Sequence, residues 1–149
     1  MRNVVGFGAA LCLLLAVPAW GTSDRGTAEE AKAMLAKAIV EVREDERGAL
    51  LKFNTGEEGD YKKADLYVFC YDTATGLITA HPTLLGQDIR SIKDVDGKAL
   101  GEEMFAMAAE GTISEINYMW PRSGTTEPVE KHSFYTRVGN QACGVGYYP

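Results

Sequence analysis

The chain has 149 residues, 46% of them hydrophobic, with 15 Lys and Arg against 21 Asp and Glu and a formal net charge of −6. That suffices for one domain with a core of its own. The acidic balance argues against nucleic acid and against anionic membrane surfaces as partners.

Arg2-Asn3 is followed by the apolar run VVGFGAALCLLLAVPAW, which closes in small residues, Val17-x-Ala19 or Ala19-x-Gly21. This is the layout of a secretory signal peptide over residues 1–21, cleaved after Ala19 or Gly21. The alternative is an uncleaved anchor helix, for which the run is short. Cys12 lies inside the run without the small residue before it that a lipoprotein signal carries. Cleavage removes Arg2, leaves a net charge of −7 on residues 22–149, and predicts a periplasmic or secreted domain.

Thr27-Ala28-Glu29-Glu30 has the spacing of a capping box. Ala31, Leu35, Ala38, Ile39 and Val42 follow at helical period, with Lys32, Lys37, Glu41 and Arg43 available to water. The spacing predicts a helix over 27–48 that covers one side of a core; the same stripe would also suit a homodimer interface. NTGEEGDYKK reads as a loop. DLYVFCYD (65–72) and GLITAHP (76–82), parted by Thr-Ala-Thr-Gly, predict a β-hairpin. Residues 83–97 form a long connection, and KALGEEMFAMAAEG predicts a second helix ended by Gly111. TISEINYMWP, EKHSFYTRVG and ACGVGYYP predict three more strands. Strands clustered in this way, not alternating with helices, indicate an α+β fold on an antiparallel sheet of five strands.

The chemistry-bearing residues are few. No Gly-x-Ser-x-Gly elbow, phosphate loop or His-Glu-x-x-His occurs. Once residues 1–21 are removed, two cysteines remain, Cys70 and Cys143, the number for one disulfide in an oxidising compartment; two buried free thiols are the alternative. With His81 and His132 they lack the paired spacing of a zinc site, so neither metal nor cofactor is expected. A thiol-dependent enzyme using Cys70 or Cys143 is the weakest functional reading. In LITAHP, alternation places Leu77, Thr79 and His81 on one face, and Pro82 ends the strand. His81 there donates either to a carboxylate or to a loop carbonyl. Asp94 and Asp96 resemble the start of a calcium loop, but Lys98 stands where the next ligand belongs; a turn and a cap for the second helix read better. Tyr67, Phe69 and Tyr71 share one face, as do Ile116, Tyr118 and Trp120, and both stripes suit a core or a pocket wall. Lys131 is either a solvated lysine or a cation for a carboxylate.

The run DLYVFCYDTATGLITAHPTLLGQDIRSIKDVDGKAL, then YMWP, a Lys-containing strand and a closing GVGYY resemble a single Cache domain of type 2, an extracytoplasmic relative of PAS sensors, over roughly residues 27–149. The resemblance implies a PAS-like sheet with helices on one face and a helix-bearing connection between its second and third strands. It implies a small-molecule ligand held between the sheet and that connection. His81 and Lys131 would then hydrogen-bond a small organic carboxylate, with Tyr67, Tyr118 and Trp120 as walls. In PAS-like topology the first and last strands lie side by side, which implies a Cys70–Cys143 bond. Family members are usually the sensing half of a chemoreceptor or histidine kinase, carrying membrane helices and a signalling domain that do not appear in this chain. The expectation is therefore a non-enzymatic binding domain that presents its ligand state to a separate membrane receptor or kinase. The runner-up is a structural or interaction module on the same scaffold without a ligand.

Overall fold

The computed structural model describes residues 24–149; the signal-peptide reading of residues 1–21 lies outside the described residues. The capping box forms as its spacing predicts. Glu30 N–H donates to Thr27 Oγ1 at 3.2 Å and Thr27 N–H to Glu30 Oε2 at 3.0 Å, starting helix α1 (Ala28–Glu44). The single helix expected over 27–48 is instead two. Asp45 leaves helical geometry (φ −152°, ψ 87°) and its Oδ1 accepts Gly48 N–H at 3.0 Å, capping α2 (Glu46–Phe53). A short acidic side chain that competes for backbone N–H groups breaks a helix that periodicity alone would continue.

The strands are β1 (Lys62–Lys63), β2 (Leu66–Asp72), β3 (Ile78–Ala80), β4 (Ser114–Pro121), β5 (Pro128–Val138) and β6 (Gln141–Tyr147). These strands pair antiparallel, in the order β1-β2-β6-β5-β4, with β3 also on β2. The five expected strands are present, and the two-residue β1 is a sixth. The first long strand and the last lie side by side, and Cys70 faces Cys143 across β2 and β6 with Cα atoms 4.1 Å apart, joined by a disulfide. Both cysteines are fully buried.

The sheet separates two cores. Leu66, Val68, Cys70, Cys143 and Val145 pack against Ala31, Leu35, Ala38 and Val42 of α1 and Ala49 and Phe53 of α2. On the other side Tyr67, Phe69, Tyr71, Ile116 and Tyr118 pack against Ile89, Ile92, Leu100 and Met104. These last four belong to the connection and to helix α3 (Leu100–Met107), so helices cover both faces and not one. The helix face buries the aliphatic stripe, and the connection face buries the aromatic one.

Two local expectations are corrected. The strand around His81 does not alternate cleanly: Ile78 joins the connection-side core, Ala80 the helix-side core, and Leu77 is exposed. The pairing shifts register between Cys70 and Tyr71, and such an irregularity resets which face each side chain meets. The Asp94 turn forms but does not cap α3, whose N-cap Ala99 has no side-chain bond. Asp94 Oδ1 accepts Asp96 N–H at 3.0 Å and Lys98 N–H at 2.9 Å, while Oδ2 accepts Met119 N–H at 3.1 Å. Lys98 Nζ donates to Asn117 O at 2.7 Å. The Asp-Val-Asp-Gly-Lys turn thus ties the connection to the outer edge of β4, whose backbone groups need partners.

Those bonds, Met119 N–H first, hold the Asp94 carboxyl below its usual range. A depressed carboxyl stabilises the fold above its unfolded pKa and loses that contribution as pH falls through the lower, folded value. Asp94→Ala should therefore cost about 1–3 kcal/mol at neutral pH in denaturant unfolding, with the gap to wild type closing on strong acidification. A loss that does not change with pH would show that the carboxylate is not what holds the turn.

Candidate functional site

A cavity of about 30 Å³ lies between the sheet and the connection, lined by Tyr67, His81, Tyr118 and Trp120 together with aliphatic side chains from the connection and α3. On this measure one water needs about 10–15 Å³, so the space suits a ligand of a few heavy atoms. Four of the five expected ligand residues are thus brought together. The fifth, Lys131, sits behind Tyr67 and Tyr118: Lys131 Nζ donates to Tyr67 Oη at 2.8 Å and lies 4.2 Å from the centre of the Tyr67 ring. Lys131 and Tyr118 are register partners across β5 and β4.

Lys131 is not a solvated lysine; its exposure is 0%. Its position depends on what β6 lacks. A Cβ built on Gly146 would stand 2.3 Å from Lys131 Cε and 2.5 Å from Ser133 Oγ, so the lysine stem crosses the middle strand over a bare glycine to reach Tyr67 on β2. Gly144 gives Phe69 the same room, since a Cβ there would lie 2.4 Å from Phe69 Cζ. Ala142, Gly144 and Gly146 alternate along β6, leaving the floor of the site without side-chain bulk.

Electrostatics assigns distinct roles to the two expected cations. Burial, aided by the Lys131 charge, lowers the His81 pKa to about 3, so its ring is neutral at physiological pH. His81 Nδ1 accepts the N–H groups of Thr83 (3.1 Å) and Leu84 (3.2 Å), which leaves Nε2 as the protonated donor. The loop meets the histidine through backbone N–H groups that donate to Nδ1 and not through a carbonyl, so donation to a carboxylate falls to Nε2. Burial also lowers the Lys131 pKa, an effect opposed by the nearby Tyr118 and Asp65. Among the described residues no carboxylate oxygen lies within 4.0 Å of Lys131 Nζ. A buried cation whose hydrogen-bond partner is a neutral phenol is costly unless an anion joins it. Tyr118 Oη is 2.9 Å from Ser133 Oγ, and Trp120 meets Tyr118 edge-on with ring centres 5.9 Å apart.

Beside the cavity a recess of about 190 Å³ shares Tyr67, His81 and Trp120 and is otherwise lined by Pro82, Thr83 and the Arg122–Thr125 turn. Arg122 was missed from sequence, although it directly follows the Trp-Pro pair. Its Nε is buried without a hydrogen-bond partner among the described residues, and its guanidinium lies 5.0 Å from the Tyr148 ring centre. The other histidine, His132, is elsewhere: its ring bridges Glu115 and Glu130, 3.0 Å from each, and packs near Tyr147. Cys70 belongs to the helix-side core and its sulfur is bonded to Cys143, so among the described residues no free thiol stands beside His81.

The family model Single Cache domain 2 matches residues 22–146. A methyl-accepting chemotaxis protein, McpP of Pseudomonas putida, is 44% identical over 55 residues, 37% of this chain and 10% of that protein. A membrane protein insertase YidC of Burkholderia multivorans is 31% identical over 133 residues, 86% of this chain and 24% of that protein. The chain thus spans a quarter or less of these relatives. Among solved structures, a Cache chemosensory domain described for its recognition of carboxylic acid superposes with a TM-score of 0.59 at 28% identity, covering 80% of this chain and 86% of that one.

Proposed function

The chain belongs to the single Cache domain 2 family, and on that premise we propose that it is a sensor domain binding a short monocarboxylate between the sheet and the connection. Single Cache domains are extracytoplasmic sensors, and in this reading residues 1–21 direct export. The ligand state would pass to a membrane receptor or kinase, with the exposed side of α1 as the surface for a second copy or that partner.

One observation carries the choice of ligand: a fully buried lysine beside the cavity with no carboxylate of the described residues within 4.0 Å. A ligand carboxylate would take hydrogen bonds from Lys131 and from His81 Nε2–H, while its short apolar part meets Ile78, Leu84 and Ile92. Apolar walls around a small space disfavour a second charge, hence a monocarboxylate. Arg122, in the recess, supports capture of an anion at the mouth.

The test is a thermal-shift screen of acetate, propionate and butyrate against succinate, amino acids and amines. A ligand at one hundred times its Kd adds about 2.7 kcal/mol to native stability. Monocarboxylates should raise the melting temperature most. A screen in which only amines stabilise the protein, or nothing does, overturns the reading.

A further inference from the structure

Resting on that reading, we propose that Asn54 is a positioning residue for His81: its amide, reaching from the end of α2, holds the backbone of the histidine so that Nε2 meets the ligand carboxylate. Asn54 lines neither the cavity nor the recess. It closes α2 as its C-cap residue, with φ −88° and ψ −2°. Its Nδ2 donates to Leu50 O at 2.9 Å and to Thr79 O at 2.8 Å, and its Oδ1 accepts His81 N–H at 3.3 Å. Two carbonyls need two protons and one N–H needs an acceptor. That set fixes the orientation of the amide and uses both of its protons; an aspartate would have none to give.

The grip falls where the sheet supports the histidine least. β3 has three residues, pairs with β2 and with no further strand among the described residues, and its pairing shifts register. Thr79 O and His81 N–H flank Ala80, and an amide that takes both makes the two-point contact a neighbouring strand would make. The other end of α2 reaches the same segment. Glu46 Oε1 accepts a proton from Gln141 Nε2 at 3.0 Å, and the buried Gln141 accepts Thr79 Oγ1–H on its Oε1 at 2.6 Å. On the far side of the histidine, Nδ1 accepts the N–H groups of Thr83 and Leu84. With the backbone N–H held by Asn54 and Nδ1 by the loop, Nε2 is the ring nitrogen left for a ligand. Asn54 itself is exposed, so its bonds matter less to the fold than to the aim of the ring.

The experiment titrates propionate by calorimetry into wild type, Asn54→Ala, His81→Ala and the double variant, each below its melting transition. Asn54→Ala should weaken binding about 3- to 10-fold, the size of effect expected when a neutral hydrogen bond is lost. In the His81→Ala background the same change should cost nothing, because the residue through which it acts is gone. Affinity unchanged by Asn54→Ala, with or without a lower melting temperature, overturns the proposal, since a helix cap alone would do no more. An equal loss in both backgrounds overturns it too. A second arm needs no ligand, and it decides where His81→Ala binds too weakly to measure. In nitrogen-15-labelled protein the His81 amide should exchange about ten-fold faster in Asn54→Ala, and the His81 ring resonances should move. Ile78 N–H, bonded to Gln87 O, should keep its rate. Unchanged His81 exchange or unmoved ring resonances overturn the proposal. Should Asn54→Ala fail to fold, Asn54→Ser, with one proton to give in place of two and a shorter reach, is read in the same way. If wild type takes no propionate, the carboxylate reading fails while the second arm still judges Asn54.

Discussion

Lys131→Ala should weaken propionate binding by about 1.5–3 kcal/mol, the cost of a lost charged hydrogen bond, or roughly 10- to 150-fold in Kd. Gly146→Ala should reproduce much of that loss with the lysine still present. A methyl group at 146 meets Lys131 Cε and Ser133 Oγ, and both belong to side chains that can move. The fold therefore relieves the clash by displacing the lysine from Tyr67, and the change appears in affinity more than in stability. Calorimetry beside denaturant unfolding checks the pair. A Gly146→Ala protein that binds like wild type would mean that the lysine's crossing of β6 does not matter to the site. One that unfolds cooperatively but has lost more than about 3 kcal/mol of stability would mean the clash is relieved by the strands instead.

Replacing both cysteines, Cys70→Ala with Cys143→Ala, should lower stability by about 2–4 kcal/mol while leaving affinity for the same ligand unchanged below the melting transition. The bond joins positions 73 residues apart in sequence, and closing so long a loop restricts the unfolded chain strongly. Removing buried sulfur also leaves unfilled volume in the helix-side core. Binding is spared because the site lies on the other face of the sheet. Equal midpoints for the variant and wild type in guanidinium, or a parallel loss of affinity, would contradict this division between the two faces.

Much of the scaffold was legible in local pattern. Thr27 and Glu30 announce the start of α1, and the β-branched and aromatic runs punctuated by Gly and Pro mark five strands. Tyr67, Tyr118 and Trp120 share a face because alternation holds in β2 and β4. It fails beside the irregular pairing of β2 and β3, where Ile78 and Ala80, expected on one face, join different cores. The burial of Lys131 was not legible, since lysine is rarely buried completely and only the register of three strands brings Tyr67, Gly146 and Lys131 together. The alternation Ala142-x-Gly144-x-Gly146 was the available clue: small residues at period two in a central strand announce that other side chains lie across it. The neutral state of His81 comes from burial and the nearby Lys131 charge, and its tautomer from N–H groups of its own loop; composition encodes neither.

The connection is fastened on both flanks of the cavity. Near β3, Ile78 N–H donates to Gln87 O, Ile89 N–H to Gly76 O, and Arg90 Nη2 to Thr75 O. At β4, Asp94 and Lys98 hold Met119 and Asn117. A strap anchored at two separated strands cannot swing from one hinge, so it must either stay closed or detach at one side. On the proposed reading, exchange of a small molecule past His81 and Trp120 would proceed by brief local excursions, and residence time would depend on how often an anchor lets go. The acidic turn at 94–98 would thereby set how quickly the domain follows a change in its surroundings, a property separate from how tightly it binds.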